Sequence, residues 1–215
     1  MVRVVGGVTL VALAAGLVMA FGVAPREVTQ GNVQRIMYLH VPSVWVAYLA
    51  FAVVLVASIV YLARRLDGAD RLAHASAEVG VLFTGLTIAT GSIWGKPTWG
   101  TWWTWYARLT SVSILFVMYL GYLLLRGIIE DPDQGARYAA VLGIVAAFNI
   151  PLVHFSVYWW RTLHQPPSLM KPGPGTMPGV IVVALMANFV AFSLLYVYFV
   201  AKRVSLLRRE AEAAA

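Results

Sequence analysis

The sequence predicts an all-α membrane protein with six transmembrane helices and a tryptophan-rich outer loop. Hydrophobic residues make up 60% of the chain and charged residues only 12%, against about 25% charged residues in an ordinary soluble domain. Mean hydropathy is +0.77. Apolar runs of about 20 residues recur, which is the length that an α-helix needs to cross the hydrocarbon core of a bilayer.

Six apolar segments are long enough to span the membrane. The first follows Arg3 and exceeds the roughly 7–15 apolar residues of a signal peptide, so we interpret it as a retained span. The fifth contains Pro151, which neighbouring helices can accommodate inside a membrane. The predicted spans are residues 4–23, 43–63, 77–94, 111–129, 138–159 and 179–200. We expect residues 1–200 to form one membrane domain, with the tryptophan-rich loop at 95–110 and a cytoplasmic tail at 201–215.

The basic residues predict the orientation of these spans, because Lys and Arg concentrate in cytoplasmic loops. With the N-terminus inside, ten Lys and Arg residues lie on the inner side and six on the outer side. The outer six are Arg26, Arg35, Lys96, Arg108, Arg161 and Lys171. We therefore expect both termini in the cytoplasm and outer connections at about 24–42, 95–110 and 160–178. The net charge of +7 is scattered over short loops and does not indicate nucleic acid binding.

Five of the eight tryptophans fall within twelve residues, in the segment WGKPTWGTWWTWYARLTS that begins at residue 94. They are Trp94, Trp99, Trp102, Trp103 and Trp105. Tryptophan normally marks a bilayer edge in ones and twos, so this density favours a surface on which a large flat ligand stacks. The predicted topology places His40 and His164 at the same outer face, although neither histidine was used to choose the orientation.

These residue types suit haem. Imidazole is a common iron ligand, aromatic rings can cover the macrocycle, and Lys96, Arg108 or Arg161 can pair with propionates. We expect His40 and His164 to approach the iron from opposite sides. The chain has no cysteine, which excludes disulfides, thiolate metal sites and C-x-x-C-H attachment. We therefore expect any haem bound here to be non-covalent haem b.

Each of these residues also has a plainer interpretation. A histidine at a helix end is commonly an interfacial residue, and a tryptophan-rich loop can lie flat among lipid headgroups. His154 lies at membrane depth, which makes it a functional candidate, but a hydrogen bond to a neighbouring helix would also explain it. We assign His74 to a solvated cytoplasmic loop and Glu78 to the N-terminal turn of the third span. No motif of nucleotide hydrolysis or nucleophilic catalysis occurs, and no residue is assigned a catalytic role.

The segment WGKPTWGTWWTWYARLTS closely resembles the tryptophan-rich signature of the haem-handling proteins of cytochrome c biogenesis. RIMYLHVPS and NIPLVHFSVYWWRTLHQ resemble the histidine segments of one branch, the C component of the cytochrome c maturation system. The resemblance covers residues 24–200. It implies a protein of the bacterial inner membrane that holds haem at the periplasmic face between His40, His164 and the tryptophan-rich region. It further implies presentation to a periplasmic haem chaperone, with release by ATP-binding-cassette subunits and a small membrane subunit.

The sequence departs from the family pattern at two positions. The signature usually ends W-D-x-R-L-T, but Tyr106 stands where the aspartate is expected, and Tyr158 replaces an acid in S-V-E-W-W. A phenol with a pKa of about 10 is neutral at pH 7. The loss of two carboxylates therefore either leaves Arg108 or Arg161 freer to bind propionates or changes how the loop is ordered. We expect Tyr106 to affect handover to the chaperone more than haem binding.

Three other functions fit parts of the sequence. A haem lyase or cytochrome c synthase would need a docking surface for a C-x-x-C-H peptide, and usually more spans. A haem exporter subunit would need a polar path or a midplane site with interrupted helices, for which Pro151 and His154 are the hints. A structural anchor would need no ligand. We expect haem delivery without bond-making chemistry.

Overall fold

The computed structural model describes residues 2–164 and 177–214, and these residues are almost entirely helical. The helices are α1 (Val2–Val18), α2 (Met37–Arg64), α3 (Asp67–Trp99), α4 (Ala107–Ile128), α5 (Pro132–Ala147), α6 (Asn149–Trp159) and α7 (Gly179–Ala214). Because α5 and α6 form one continuous apolar segment, six segments of the described residues are long and apolar enough to cross a membrane. This confirms the predicted all-α, multi-pass membrane fold. Lys171 and most of the expected last outer connection lie outside the described residues.

Turn residues mark where several helices begin and end. The Asp131 carboxylate caps α5 by accepting hydrogen bonds from the backbone N–H groups of Asp133 at 2.9 Å and Gln134 at 3.3 Å. Pro132 follows at the first helical position, where no N–H is needed. Gly100 ends α3 with a φ of 78°, a left-handed conformation that glycine adopts without steric cost.

Arg35 closes the end of the first span. A π-helical turn, Met19–Val23, extends α1, and its last carbonyls have no partner within the helix. The Arg35 guanidinium donates to the carbonyl oxygens of Ala20 at 3.0 Å, of Ala24 at 3.2 Å, and of Phe21. The connection that leads into α2 is thereby fixed against the end of α1.

The fifth span is broken into two helices near its middle. α5 ends at Ala147 and α6 begins at Asn149, with Phe148 between them. Pro151 has no N–H to donate, and its ring crowds the carbonyl group four residues earlier, that of Ala147. The proline predicted to lie within this span therefore divides it.

The third spanning helix is longer than predicted, and two assignments made from the sequence are wrong. α3 begins at Asp67, with Asp67 and Asp70 in its first turn, where acidic residues favour a helix N-terminus. His74 therefore lies on α3 and not in a solvated loop. Glu78 lies about three turns into the helix, where it contacts His74 at 3.2 Å and Arg203 at 2.7 Å. It is an ion-pair partner and not an N-terminal acid.

α2 and α3 form the most extensive helix pair of the bundle. Gly80 allows their close approach, since a Cβ atom there would lie 2.5 Å from the Phe51 ring. The Phe51 ring stacks in turn on Tyr119 of α4, with ring centroids 3.7 Å apart. Burial of these rings joins three helices around one core.

α1 packs mainly against α7. Buried Asn188 of α7 donates to the carbonyl oxygen of Gly16 on α1 at 2.9 Å and to that of Ala184 at 2.8 Å. The absence of a side chain at Gly16 permits this contact, because a Cβ atom there would lie 2.8 Å from the Asn188 side-chain oxygen. α7 continues without interruption to Ala214, so residues 201–214 extend the last spanning helix.

The two ends of the bundle differ in chemistry. One end carries Trp94, Trp99 and residues 100–106, which connect α3 to α4, and we call it the aromatic end. The opposite end, which we call the charged end, carries a two-bond ion pair between Asp70 and Arg126 and an ion pair between Glu78 and Arg203. The tryptophan-rich segment and these two ion pairs therefore lie at opposite ends of the bundle.

Candidate functional site

A cavity of about 480 Å³ opens at the aromatic end between α2, α3, α4, α6 and α7. Its volume falls within the range of about 300–1,000 Å³ that is typical of small-molecule and cofactor sites. All the lining residues of the spanning helices lie in the halves nearest the aromatic end. Seven of the residues expected from the sequence to contact haem line it: His40, Trp94, Trp99, Trp102, Trp103, Arg108 and His164. Tyr106, His154 and Tyr158 line it as well.

His40 lies in the first turn of α2, and its side chain is buried against α3. Its Nδ1 is 3.1 Å from the hydroxyl oxygen of Thr90. Gly91 lies directly behind the ring, because a Cβ atom there would be 2.9 Å from the His40 Cε1. The imidazole is therefore fixed by a hydrogen bond on one atom and by close packing on another.

Trp94 holds the other side of His40. Its ring meets the imidazole edge to face, with centroids 5.8 Å apart and an angle of 74° between the planes. The Trp94 indole N–H donates to the Gln30 side-chain oxygen at 2.8 Å. Gln30 comes from the connection that Arg35 ties to α1, so residues before α2 help to orient a ring on α3.

His164 reaches the same cavity from the segment that follows α6. Its ring lies 5.5 Å from that of Trp99, at an angle of 59°, and it lines the same cavity as His40. Two histidines that are far apart in sequence thus meet in one cavity, each beside a tryptophan of α3. No group of three or more metal-ligating side chains is found within residues 2–164 and 177–214. The histidines that line the cavity are His40, His154 and His164.

The tryptophans of the 100–106 connection occupy different environments. Trp103 is half-buried and lines the cavity, and Trp102 lines it while remaining 57% exposed. Trp105 is 75% exposed and lies apart from the cavity, in a shallow groove that it shares with Trp160. Its ring meets Trp103 edge to face at 5.6 Å.

Three buried donors at the cavity wall have no acceptor among the described residues. They are the Trp103 indole N–H, the Tyr106 hydroxyl and the Nε–H of Arg108. A buried donor without a partner costs about 1–3 kcal/mol, so three in one cavity are unusual for a protein interior. Their clustering indicates a ligand that brings hydrogen-bond acceptors, and the guanidinium favours an anionic one.

Tyr106 stands at the N-cap of α4, the position where the resemblance leads us to expect an aspartate. Its side chain makes no capping hydrogen bond. Burial raises the pKa of the Tyr106 phenol, and the nearby Thr104 hydroxyl and Arg108 guanidinium offset part of that rise. The phenol is therefore neutral at physiological pH and retains a proton that it can donate to a ligand.

His154 contributes through its backbone. Its carbonyl oxygen accepts a hydrogen bond from Nη2 of Arg108 at 2.9 Å, which joins α6 to α4 and holds the guanidinium at the cavity. The His154 ring packs edge to face on Phe155 at 5.0 Å. The side-chain hydrogen bond to a neighbouring helix that the sequence suggested is not found in the part of the chain that the structure describes.

Sequence reasoning missed three residues of the site: Gln30, Thr90 and Gly91. Gln30 carries no signal that would distinguish it from any other polar loop residue. Thr90 and Gly91 belong to a run of small residues, 89–92, that ends two residues before Trp94. Such a run indicates close approach of another element, although it does not reveal which residue approaches.

Several known proteins are similar to this chain over most of its length. The family described as Heme exporter protein C (CcmC) matches residues 1–215. Heme exporter protein C of Bradyrhizobium diazoefficiens is 43% identical over 203 residues, which cover 94% of this chain and 77% of the relative. Its namesake in Haemophilus influenzae is 40% identical over 206 residues, covering 95% and 84%. A ccmC-like mitochondrial protein of Marchantia polymorpha, whose name refers to cytochrome c biosynthesis, is 35% identical over 187 residues, covering 87% and 79%. The chain belongs to the Heme exporter protein C family.

Proposed function

We propose that this protein binds haem b non-covalently at the periplasmic face of the bacterial inner membrane and presents it to a haem chaperone during cytochrome c biogenesis. The observation that carries the proposal is the meeting of His40 and His164 in one cavity that also holds three unpartnered donors. The names of the relatives, which refer to haem export and to cytochrome c biosynthesis, support haem as the cargo.

The two histidines are the proposed axial ligands. A neutral imidazole has one nitrogen with a free lone pair, which suits iron. His40 is held rigidly by α3, whereas His164 lies on a segment outside the helices. We infer that His40 supplies the fixed ligand and His164 the ligand that completes the site from the other side.

The unpartnered donors are the proposed partners of the haem propionates. Each propionate offers two acceptor oxygens and a negative charge, which match the guanidinium of Arg108, the phenol of Tyr106 and the indole N–H of Trp103. A carboxylate at this position would satisfy donors that are otherwise buried without acceptors. In this respect the cavity fits haem better than a purely apolar ligand such as a lipid chain.

The aromatic side chains are proposed to cover the macrocycle at the cavity mouth. Trp99 and Trp102 line the cavity, and Trp102 is exposed over more than half of its surface. A bound macrocycle at this position would remain accessible from outside the membrane, as presentation to a chaperone requires. Trp105 lies apart from the cavity, where its exposed ring can contact lipid headgroups or a partner.

Transport across the bilayer is a second candidate, because the relatives are named as exporters. The position of the cavity favours presentation, since its lining residues on the spanning helices all lie in the halves nearest one end. The ATP-binding-cassette subunits and small membrane subunit implied by the resemblance would then act on haem already held at the outer face. Haem uptake into sealed vesicles that contain this chain alone would favour the transport function instead.

Absorption spectra of three histidine variants test the proposal. We expect the detergent-purified protein from haem-sufficient cells to show a Soret band that is lost or shifted in His40→Ala and in His164→Ala. His74→Ala is the matched control, because His74 contacts Glu78 at the charged end, away from the cavity. Helical content by circular dichroism verifies folding of each variant. Equal spectra from all three variants would contradict the assignment of the axial ligands.

A further inference from the structure

We propose that Thr90 is a positioning residue that fixes the tautomer of the neutral His40 ring, with the proton on Nδ1 and the lone pair on Nε2. This inference deepens the proposed function, because it rests on His40 as a haem ligand. It concerns the apoprotein first, since the hydrogen bonds that determine the protonation are formed by this chain alone.

The direction of each hydrogen bond follows from the Thr90 hydroxyl, which has one proton to donate. That hydroxyl lies 2.7 Å from the carbonyl oxygen of Leu86, one turn earlier on α3, and 3.3 Å from that of Thr87. A carbonyl oxygen can only accept a hydrogen bond, so the proton of Thr90 points toward the α3 backbone. The Thr90 oxygen is left as an acceptor toward His40.

The His40 ring must therefore donate. Its Nδ1 lies 3.1 Å from the Thr90 oxygen, and a hydrogen bond at this distance requires a proton on Nδ1 when the oxygen accepts. A neutral imidazole carries one N–H and one lone pair. With the proton on Nδ1, the lone pair is on Nε2, which is the nitrogen left to coordinate iron.

Packing holds the His40 ring in this orientation. The Cε1 atom of His40 lies so close to the Gly91 backbone that a Cβ atom at position 91 would be only 2.9 Å from it. On the other side, the Trp94 ring lies edge to face with the imidazole, with ring centroids 5.8 Å apart. A flip of the ring would exchange Nδ1 for a carbon at Thr90 and lose the hydrogen bond. Position and protonation are thus fixed together, as is typical of ligands held by a second residue.

The Thr90 hydroxyl forms hydrogen bonds both within its own helix and to another helix. A threonine in a helix commonly donates to the carbonyl four residues earlier, and Thr9 on α1 does so at 2.8 Å while buried far from the cavity. Thr90 differs because its hydroxyl, besides donating to the backbone of α3, also accepts a hydrogen bond from another helix. Thr9 therefore provides a control for the loss of a buried threonine hydroxyl as such.

Nitrogen-15 NMR of the apoprotein with labelled histidine tests the inference without haem. His40→Ala identifies the His40 signals. In the wild type we expect a protonated Nδ1 and an unprotonated Nε2, in Thr90→Val a shift of the population toward a proton on Nε2, and in Thr90→Ser the wild-type pattern. Thr9→Val is the matched control and should leave the pattern unchanged. A wild-type proton on Nε2, or an unchanged pattern in Thr90→Val, would overturn the inference.

Haem titration provides the second readout. Loss of a residue that positions a ligand typically lowers affinity by about 10–100-fold, so we expect a drop of that size in Thr90→Val and recovery in Thr90→Ser. If Thr90→Val does not fold, Thr90→Ala removes the same acceptor with a smaller side chain and takes its place in both measurements.

The two measurements separate this inference from the proposed function. Suppose that His40→Ala abolishes the Soret band while Thr90→Val changes neither the NMR pattern nor the affinity: the inference then fails and the proposed function stands. Suppose instead that Thr90→Val moves the proton to Nε2 while His40→Ala binds haem normally: the hydrogen-bond assignment then stands and His40 is not a haem ligand.

Discussion

At the scale of single residues, the site depends on a side chain that is missing. His40 can lie against α3 because position 91 is a glycine, and a Cβ atom there would meet the imidazole at 2.9 Å. Real Cβ atoms do not approach other atoms so closely, so one side must move. The position of a ligand is thus determined by a neighbour that makes no hydrogen bond to it.

Gly91→Ala should therefore displace His40 and weaken haem binding by about tenfold or more, a loss typical of disturbed ligand positioning. Haem titration followed at the Soret band measures the effect. Gly85→Ala on the same helix is the matched control, because a Cβ atom there meets only the Phe116 ring at an ordinary 3.6 Å. An equal loss in both variants would show that glycine in α3, and not the space behind His40, is what matters.

At the scale of elements, the end of α3 organises the site. Thr90, Gly91, Trp94 and Trp99 lie within its last three turns and contact either His40 or His164. Spacings of three and four residues place side chains on one face of a helix, and they relate Trp94 to Gly91 and to Thr90. The tryptophan signature therefore begins as part of a helix, and only residues 100–106 form the connection to α4.

The N-terminus of α4 allows a test of the substituted residue of the signature. Tyr106 makes no capping hydrogen bond, whereas Asp and Asn are strong N-cap residues worth about 0.5–2 kcal/mol. Tyr106→Asp and Tyr106→Asn should both raise the free energy of unfolding by about that amount. Thermal unfolding of the purified protein measures it, and unchanged stability in both variants would contradict the capping interpretation.

The same pair of variants separates capping from charge. Only Tyr106→Asp brings a carboxylate to Arg108, so only it should compete with propionates for the guanidinium. We expect a larger change in chaperone loading than in haem affinity for Tyr106→Asp, and little change in loading for Tyr106→Asn. Equal loading by the two variants would show that the charge at position 106 plays no part in handover.

At the scale of the whole molecule, ion pairs at the charged end stabilise the helix bundle that positions the cavity at the aromatic end. The two terminal nitrogens of Arg126 on α4 each donate a hydrogen bond of 2.6 Å to the Asp70 carboxylate of α3, and both side chains are mostly buried. Such a two-bond pair fixes two helices in orientation as well as in distance. These two helices are the ones joined by the 100–106 connection.

Asp70→Ala should destabilise the protein by about 3–5 kcal/mol, since removal of one partner leaves a buried charge unpaired. The change in melting temperature of the detergent-solubilised protein measures this. Glu212→Ala is the matched control, because its pair with Arg208 is exposed and worth at most about 1 kcal/mol. Similar melting temperatures for the two variants would contradict a structural role of the pair.

The sequence by itself determined the membrane fold, because hydrocarbon imposes a length and an apolar composition that can be counted along the chain. The density of tryptophan likewise marked the aromatic end without any structure. Helix boundaries were less well determined: the apolar part of α3 stood out, but its polar first turns, with His74, resembled a loop. Propensity and hydropathy do not distinguish a polar helical turn from a polar loop when ion pairs with other helices stabilise it.

Only the tertiary structure decided which residues meet. The hydrogen bond from His40 to Thr90 spans 50 residues of sequence, that from Trp94 to Gln30 spans 64, and that from Arg108 to the His154 carbonyl spans 46. Helix packing angles and registers create these contacts, and no local pattern encodes them. The orphaned donors of Trp103, Tyr106 and Arg108 are visible for the same reason only in three dimensions, since a donor lacks a partner only in relation to everything folded around it.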